Sequence, residues 1–148
     1  MLFDKTDVQK FIPHREPFLF VDSIESITCN DWVFGSGVLG PKDAIGGKAI
    51  GHFHVSAELP VFAGHFPEKP VFPGVLQVEM MAQVSSFVMA FFHPDPFGES
   101  TLDVALARVN NAKFRLPVLP GDNLIINSTV VKYRPRSNPN ALVEIEAR

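Results

Sequence analysis

The sequence predicts an α+β fold in which an antiparallel sheet wraps around one long central helix. Three observations predict it. From Val75 onward a run of good helix formers continues without proline or glycine until Pro94, enough for about 18 helical residues. That helix is apolar nearly all round, so it must be buried on several sides. On either side of it the chain reads as short segments rich in β-branched residues, separated by turn residues. A sheet curling around the helix buries both at once. No internal repeat or linker divides the 148 residues, so a single domain over 1–148 is expected, large enough for a core.

Residues 4–12 read as a short helix, with Asp4 or Thr6 as its cap and Pro13 behind it as a stop. His14-Arg15-Glu16-Pro17 reads as a turn. Residues 19–28 (LFVDSIESIT) read as a strand, paired in a hairpin around Cys29-Asn30 with 31–39 (DWVFGSGVL). A third strand is expected over 48–55. Next comes a loop stiffened by Pro67, Pro70 and Pro73, which cannot be helical. The long helix then covers roughly residues 73–92 and ends at Pro94-Asp95-Pro96. Strands over about 102–115, 123–133 and 141–147 complete the chain, with turns at Pro120-Gly121-Asp122 and over 135–139.

Composition narrows the function classes. Hydrophobic content of 46% with 20% charged residues describes a globular chain. A net charge of −3 and the lack of a basic tract give no electrostatic footprint for nucleic acid. The single Cys29 excludes an intramolecular disulfide and a cysteine metal cluster, which suits a reducing compartment. The N-terminus carries charges where a signal peptide needs an apolar stretch. No membrane span is expected, because Gln77, Glu79 and Gln83 interrupt the long helix. The expected location is therefore cytoplasmic. Phenylalanine, with 14 copies against one Tyr and one Trp, fits core and interface packing or an apolar tunnel for a long ligand.

Gly35 to Gly40 matches G-x-G-x-x-G, but that fingerprint works only where a strand turns into a helix holding phosphate. Pro41 and further glycines follow here, so these glycines are expected in a twisted strand. His52 and His54 form an H-x-H pair that a strand would place on one face. No third ligand is evident nearby, and no metal site is expected. His93 falls at the end of the helix, where positive charge is favourable.

His65 and Glu79 stand apart from these. The rigid loop delivers His65 close to the start of the long helix, and that helix carries Glu79 as its single acid. Glu79 shares a helical face with Val75, Leu76 and Ala82, so its carboxylate is desolvated unless something polar meets it. Burial disfavours the charged form of a carboxyl group, which suits a general acid, while histidine is the usual base near neutral pH. The free N–H groups near Gly74 and Val75, at the helix N-terminus, are placed to polarise a carbonyl oxygen.

The stretch from Gly64 to Gln83 (GHFPEKPVFPGVLQVEMMAQ) resembles the signature of FabZ-type 3-hydroxyacyl-(acyl carrier protein) dehydratases, which have the hotdog fold. Ile12 to Asp22 (IPHREPFLFVD) resembles that family's N-terminal segment, and Lys113 to Asp122 (KFRLPVLPGD) its post-helix strand and turn. The resemblance implies that His65 removes the α-proton of a 3-hydroxyacyl thioester, that Glu79 serves the departing hydroxyl, and that the product is a trans-2-enoyl thioester. It implies substrate contacts at Gly74, whose N–H holds the thioester carbonyl, and at Val75 and Phe66. Glutamate rather than aspartate at position 79 favours the FabZ side over the FabA side. No metal or cofactor is implied, the elimination being redox-neutral. The implied partners are an acyl carrier protein and a second copy of the chain, with His65 of one subunit facing the acid of the other. Several members of the family assemble further, as trimers of dimers.

Some features depart from the pattern. Val104 and Ala105 stand where the family often has tyrosines guarding the tunnel, and Gly40 to Phe53 is unusually long and glycine-rich. The chain stops at Arg148, short of a further strand, which leaves a shortened end or an origin in a larger protein open. An acidic carrier protein calls for a basic dock, for which Lys113 and Arg115, or Lys132, Arg134 and Arg136, are candidates. The alternatives to a dehydratase are an acyl-CoA hydratase or thioesterase of the same fold, or a hotdog that binds acyl chains without catalysis.

Overall fold

A computed structural model describes residues 1–93, 97, 105–135 and 141–148. The central helix and the surrounding antiparallel sheet are both present. The chain runs through α1 (Lys5–Phe11), β1 (Ser23–Cys29), β2 (Trp32–Val33), β3 (Lys48–His54), α2 (Gly74–Ser86), β4 (Asn123–Pro135) and β5 (Ala141–Ala147). The five strands form one antiparallel sheet in the order β2-β1-β3-β4-β5. α1 begins at Asp4, whose carboxylate accepts the Asp7 N–H at 3.0 Å.

α2 lies across β3 and β4, and the contact is close enough to need a glycine. A Cβ on Gly51 would meet Val84 Cγ2 at 2.7 Å, Val84 Cγ1 at 2.9 Å and Ile24 Cδ1 at 3.2 Å. Both neighbours are fully buried and have nowhere to go. Gly51→Ala is therefore expected to lower stability by about 1–3 kcal/mol, the usual cost of overpacking. Chemical denaturation reads this directly, and an unchanged midpoint would mean that the helix–sheet crossing has slack. Beside Gly51, a buried Ser85–Ser128 hydroxyl pair at 2.9 Å links α2 to β4. At the far end Phe87 stacks on Phe11 with ring centroids 4.4 Å apart, and Trp32 meets Phe91 edge-on at 4.9 Å. Most of the phenylalanines are thus packing residues.

Several elements differ from the sequence expectation. The long helix is α-helical for 13 residues and tightens to a 3₁₀ turn over Phe87–Phe91. The Ser86 hydroxyl, bonded back to the Ala82 carbonyl at 3.0 Å, competes with the backbone ladder just before the change. By length and composition Gly74–Phe91 does reach what a bilayer span needs, contrary to the expectation. Half of it is buried inside the protein, however, as befits a core helix.

The strand expected over 31–39 shrinks to Trp32–Val33. Gly35 and Gly37 adopt φ of 88° and 115°, which turns the chain away, and the Trp32 indole N–H donates to the Gly37 carbonyl at 2.7 Å. Gly35 to Gly40 is accordingly a loop, not a twisted strand, and no helix follows it. β1 starts only at Ser23, because Leu19, Phe20 and Val21 are buried consecutively rather than in alternation.

Of the strand expected over 102–115, residues 102–104 lie outside the described residues, and 105–115 pair with no strand. Residues 105–117 are exposed throughout, with apolar Leu106, Val109, Phe114 and Leu116 among them. A strand exists only with a partner, and nothing described within the chain supplies one. The stops expected at 94–96 and most of the turn over 135–139 also lie outside the described residues. Cys29 is buried, its thiol donating to the Asp43 carbonyl at 3.1 Å. Burial, and then the charge of Asp43, push the thiol pKa up.

Candidate active site

A 3₁₀ turn over Pro60–Ala63 leads into the proline-rich loop, and the His65 N–H donates back to the Val61 carbonyl at 2.9 Å. The loop closes on itself as the Val71 N–H donates to the His65 carbonyl at 3.0 Å. The ring of His65 is fixed by the same residue: Nδ1 lies 2.7 Å from the Val71 carbonyl oxygen. A carbonyl can only accept, so Nδ1 carries the proton and Nε2 presents its lone pair outward. That is the tautomer a base requires. Phe66 stacks on the imidazole with centroids 4.1 Å apart and is itself half exposed. The peptide bond joining these two residues is cis.

Two bonds, one to the segment at Val118 and one to α2, hold the loop at Phe72, which is 1% exposed. Its N–H donates to the Val118 carbonyl at 2.8 Å, and its carbonyl accepts from the Gln77 amide at 3.2 Å. At Gly74 and Val75 the helix begins without a side-chain cap. The N–H groups of both residues have no hydrogen-bond acceptor among the described residues, whereas those of Leu76 and Gln77 bond to Pro73. Such free N–H groups suit an oxygen that gains negative charge. The Phe114 ring lies against Gly74, where a Cβ would meet it at 3.0 Å. Val75, at 77% exposed, projects outward.

Glu79 stands one turn further along α2 and is largely buried. Its polar company is now defined. Oε1 accepts from the Gln83 amide at 2.9 Å and lies 3.2 Å from His14 Nε2. Gln83 is 1% exposed and cannot be flipped, since its Oε1 accepts the Phe20 N–H at 2.8 Å while its Nε2 also donates to the Phe18 carbonyl at 2.9 Å. The sequence left the carboxylate desolvated unless something polar met it; Gln83 and His14, neither of them singled out there, both do. Helical spacing pointed to Gln83, which sits i+4 from Glu79. The turn carrying His14 is pinned by Arg15, whose Nη1 donates to the carbonyls of Ile12 and His14 at 3.0 and 2.7 Å. Lys5 adds an ion pair to Glu16 at 2.7 Å and one to Asp22 at 3.3 Å. The hydrogen bond to Glu16 raises the ammonium pKa most.

No ion pair or hydrogen bond joins His65 to Glu79 within the chain, among the described residues. His65 and Glu79 are thus each held by partners of their own. The other histidines are engaged elsewhere: His52 pairs with Glu25 at 2.8 Å, and His54 Nδ1 lies 2.8 Å from Asn123. No cluster suited to a metal ion occurs among the described residues. Lys113, Arg115, Lys132, Arg134 and Ala105 are exposed. Arg136 and Val104 lie outside the described residues.

A sheet wrapped on one helix, with a histidine whose ring is fixed in the loop and a largely buried carboxyl group on the helix, describes a hotdog-type fold with a candidate acid–base site. A family model described as "FabA-like domain" matches residues 12–148. This chain belongs to the FabA-like family. It is similar over its whole length to the 3-hydroxyacyl-[acyl-carrier-protein] dehydratase FabZ of Sulfurovum sp. (strain NBC37-1), with 34% identity over 87% of that protein. The enzymes of the same name from Rickettsia akari and Agrobacterium fabrum are 38% and 41% identical. The matches cover 90% and 91% of this chain and 79% and 73% of theirs.

Proposed function

We propose that this protein is a hydro-lyase that removes water from (3R)-3-hydroxyacyl chains carried on an acyl carrier protein, giving the trans-2-enoyl thioester in fatty acid or related lipid biosynthesis. The observation that carries the reading is the His65 ring, tied through Nδ1 to Val71 with Nε2 left as acceptor, in a chain of this family. His65 Nε2 takes the α-proton. The N–H groups of Gly74 and Val75 stabilise the negative charge that gathers on the thioester oxygen, which lowers the barrier to that proton loss. Glu79 donates a proton to the leaving 3-hydroxyl, which departs as water. Phe66 and Val75 line the approach to the base.

The site is shared between two subunits, His65 from one and Glu79 from the other. Two features support this. No hydrogen bond or ion pair joins the two residues within one chain among the described residues, and residues 105–117 expose Leu106, Val109, Phe114 and Leu116, which a second copy can cover. Light scattering distinguishes a dimer from the trimer of dimers found among relatives. Exposed Lys113 and Arg115, or Lys132 and Arg134, serve the acidic carrier protein, and a cytoplasmic location goes with this reading.

Incubation with a 3-hydroxyacyl carrier protein tests the reaction class. Enoyl absorbance is expected to rise with no free thiol released. Thiol release without enoyl product identifies a thioesterase instead, and turnover confined to CoA thioesters identifies the CoA-linked enzyme. Neither product leaves a module that only binds acyl chains.

A further inference from the structure

We propose that His14 is a positioning residue for Glu79, and that the proton delivered to the leaving hydroxyl is carried on Oε2. The inference rests on the reading of Glu79 as the acid.

Both polar neighbours of the carboxyl group converge on one oxygen. Gln83 Nε2 is 2.9 Å and His14 Nε2 is 3.2 Å from Oε1. A protonated carboxyl group has one acceptor oxygen and one hydroxyl oxygen. The Gln83 amide donates to Oε1 and makes it the acceptor, so the hydroxyl is Oε2, the oxygen with no partner among the described residues. One donor alone would leave the carboxyl plane free to turn about that bond. His14 Nε2 approaches the same oxygen to 3.2 Å from a different element, the 12–17 turn, and this contact stops the rotation.

His14 suits this task because only one of its ring nitrogens is usable. Nδ1 is buried and without a hydrogen-bond partner among the described residues. A proton placed there would be a buried donor with no acceptor, whereas a proton on Nε2 lies on the side of the ring that faces Glu79, 3.2 Å from Oε1. The tautomer is thereby set with the proton on Nε2. The turn itself is stiff: Pro13 and Pro17 flank it, Ile12 and Leu19 are buried at 4% and 1% exposure, and Arg15 clamps the carbonyls of Ile12 and His14.

Steady-state kinetics of the full-length protein on a 3-hydroxyacyl carrier protein test the proposal with His14→Leu, His14→Gln and Glu79→Gln. Leucine fills the space without a donor, while glutamine keeps an amide N–H that can reach Oε1. His14→Leu is expected to lower kcat about ten-fold with KM within about two-fold, as loss of orientation does, and His14→Gln to restore most of it. If His14→Leu does not fold, His14→Ala carries the same comparison. A parent-like kcat in His14→Leu overturns the proposal, as does a His14→Gln variant as slow as the leucine one. Loss of activity in Glu79→Gln accompanies either outcome. An active Glu79→Gln instead overturns the assignment of the acid itself.

Discussion

Mixing His65→Ala and Glu79→Gln subunits is expected to recover about a quarter of the parent activity from two nearly inactive proteins. Removing either group from an acid–base pair costs on the order of a hundred- to ten-thousand-fold. Each single variant should therefore be close to silent in the enoyl assay. In a two-fold dimer whose sites straddle the interface, the mixed species has one site with both residues intact and one with neither. With free reassortment about half of the dimers are mixed, and half of their sites work. The separate anchoring of His65 on Val71 and of Glu79 on Gln83 and His14 motivates this arrangement. Co-expression with two different tags allows the mixed dimer to be isolated. If that species is as inactive as its parents, the site lies within a single chain.

Gln83→Leu should be the most damaging polar-to-apolar change in the helix. Leucine nearly matches the volume, so the loss is one of hydrogen bonds rather than of packing. Three bonds disappear: from the Phe20 N–H at 2.8 Å, and to the Phe18 carbonyl and Glu79 Oε1, both at 2.9 Å. Gln83 is 1% exposed, so water cannot readily replace it. A buried polar group left without a partner costs about 1–3 kcal/mol. A total near 3 kcal/mol lowers the melting temperature by about 10 °C for a chain of this size. Scanning calorimetry checks this, and a shift under about 2 °C would show that residues 18–20 find other partners. Activity should fall further than stability, since Glu79 loses one of its two holds.

The fold was legible because its strongest signals are local. The proline-to-helix change at Pro73-Gly74, the β-branched runs and the turn at Pro120-Gly121-Asp122 each depend on a few neighbours. What stayed hidden depends on distant partners. Residues 105–115 have strand-like composition, yet strand pairing is a property of two segments, and none of the described residues provides the second. Nothing in the composition of 19–22 says that the Phe20 N–H bonds a glutamine side chain on α2. The two active-site candidates divide the same way. His65 and Glu79 stood out as residue types in an unusual setting. His14 was read only as part of a turn, because its meeting with Glu79 spans most of the distance from the N-terminus to the central helix.

The bond from His65 Nδ1 to Val71 has a consequence for the whole catalytic cycle. It leaves the imidazole a single doorway for protons, at Nε2. A dehydration that loads a proton there and withdraws one from Glu79 does not return the enzyme to its starting state. It ends with the histidine charged, the glutamate charged, and the product gone. Before the next substrate can react, the surplus proton must leave through that same doorway and the deficit at the carboxyl group must be filled. With His65 as base and Glu79 as acid, as proposed, net catalysis includes a silent resetting step that consumes no substrate. The reverse addition of water finds that charged pair already loaded, so the two directions of one equilibrium start from differently protonated enzymes.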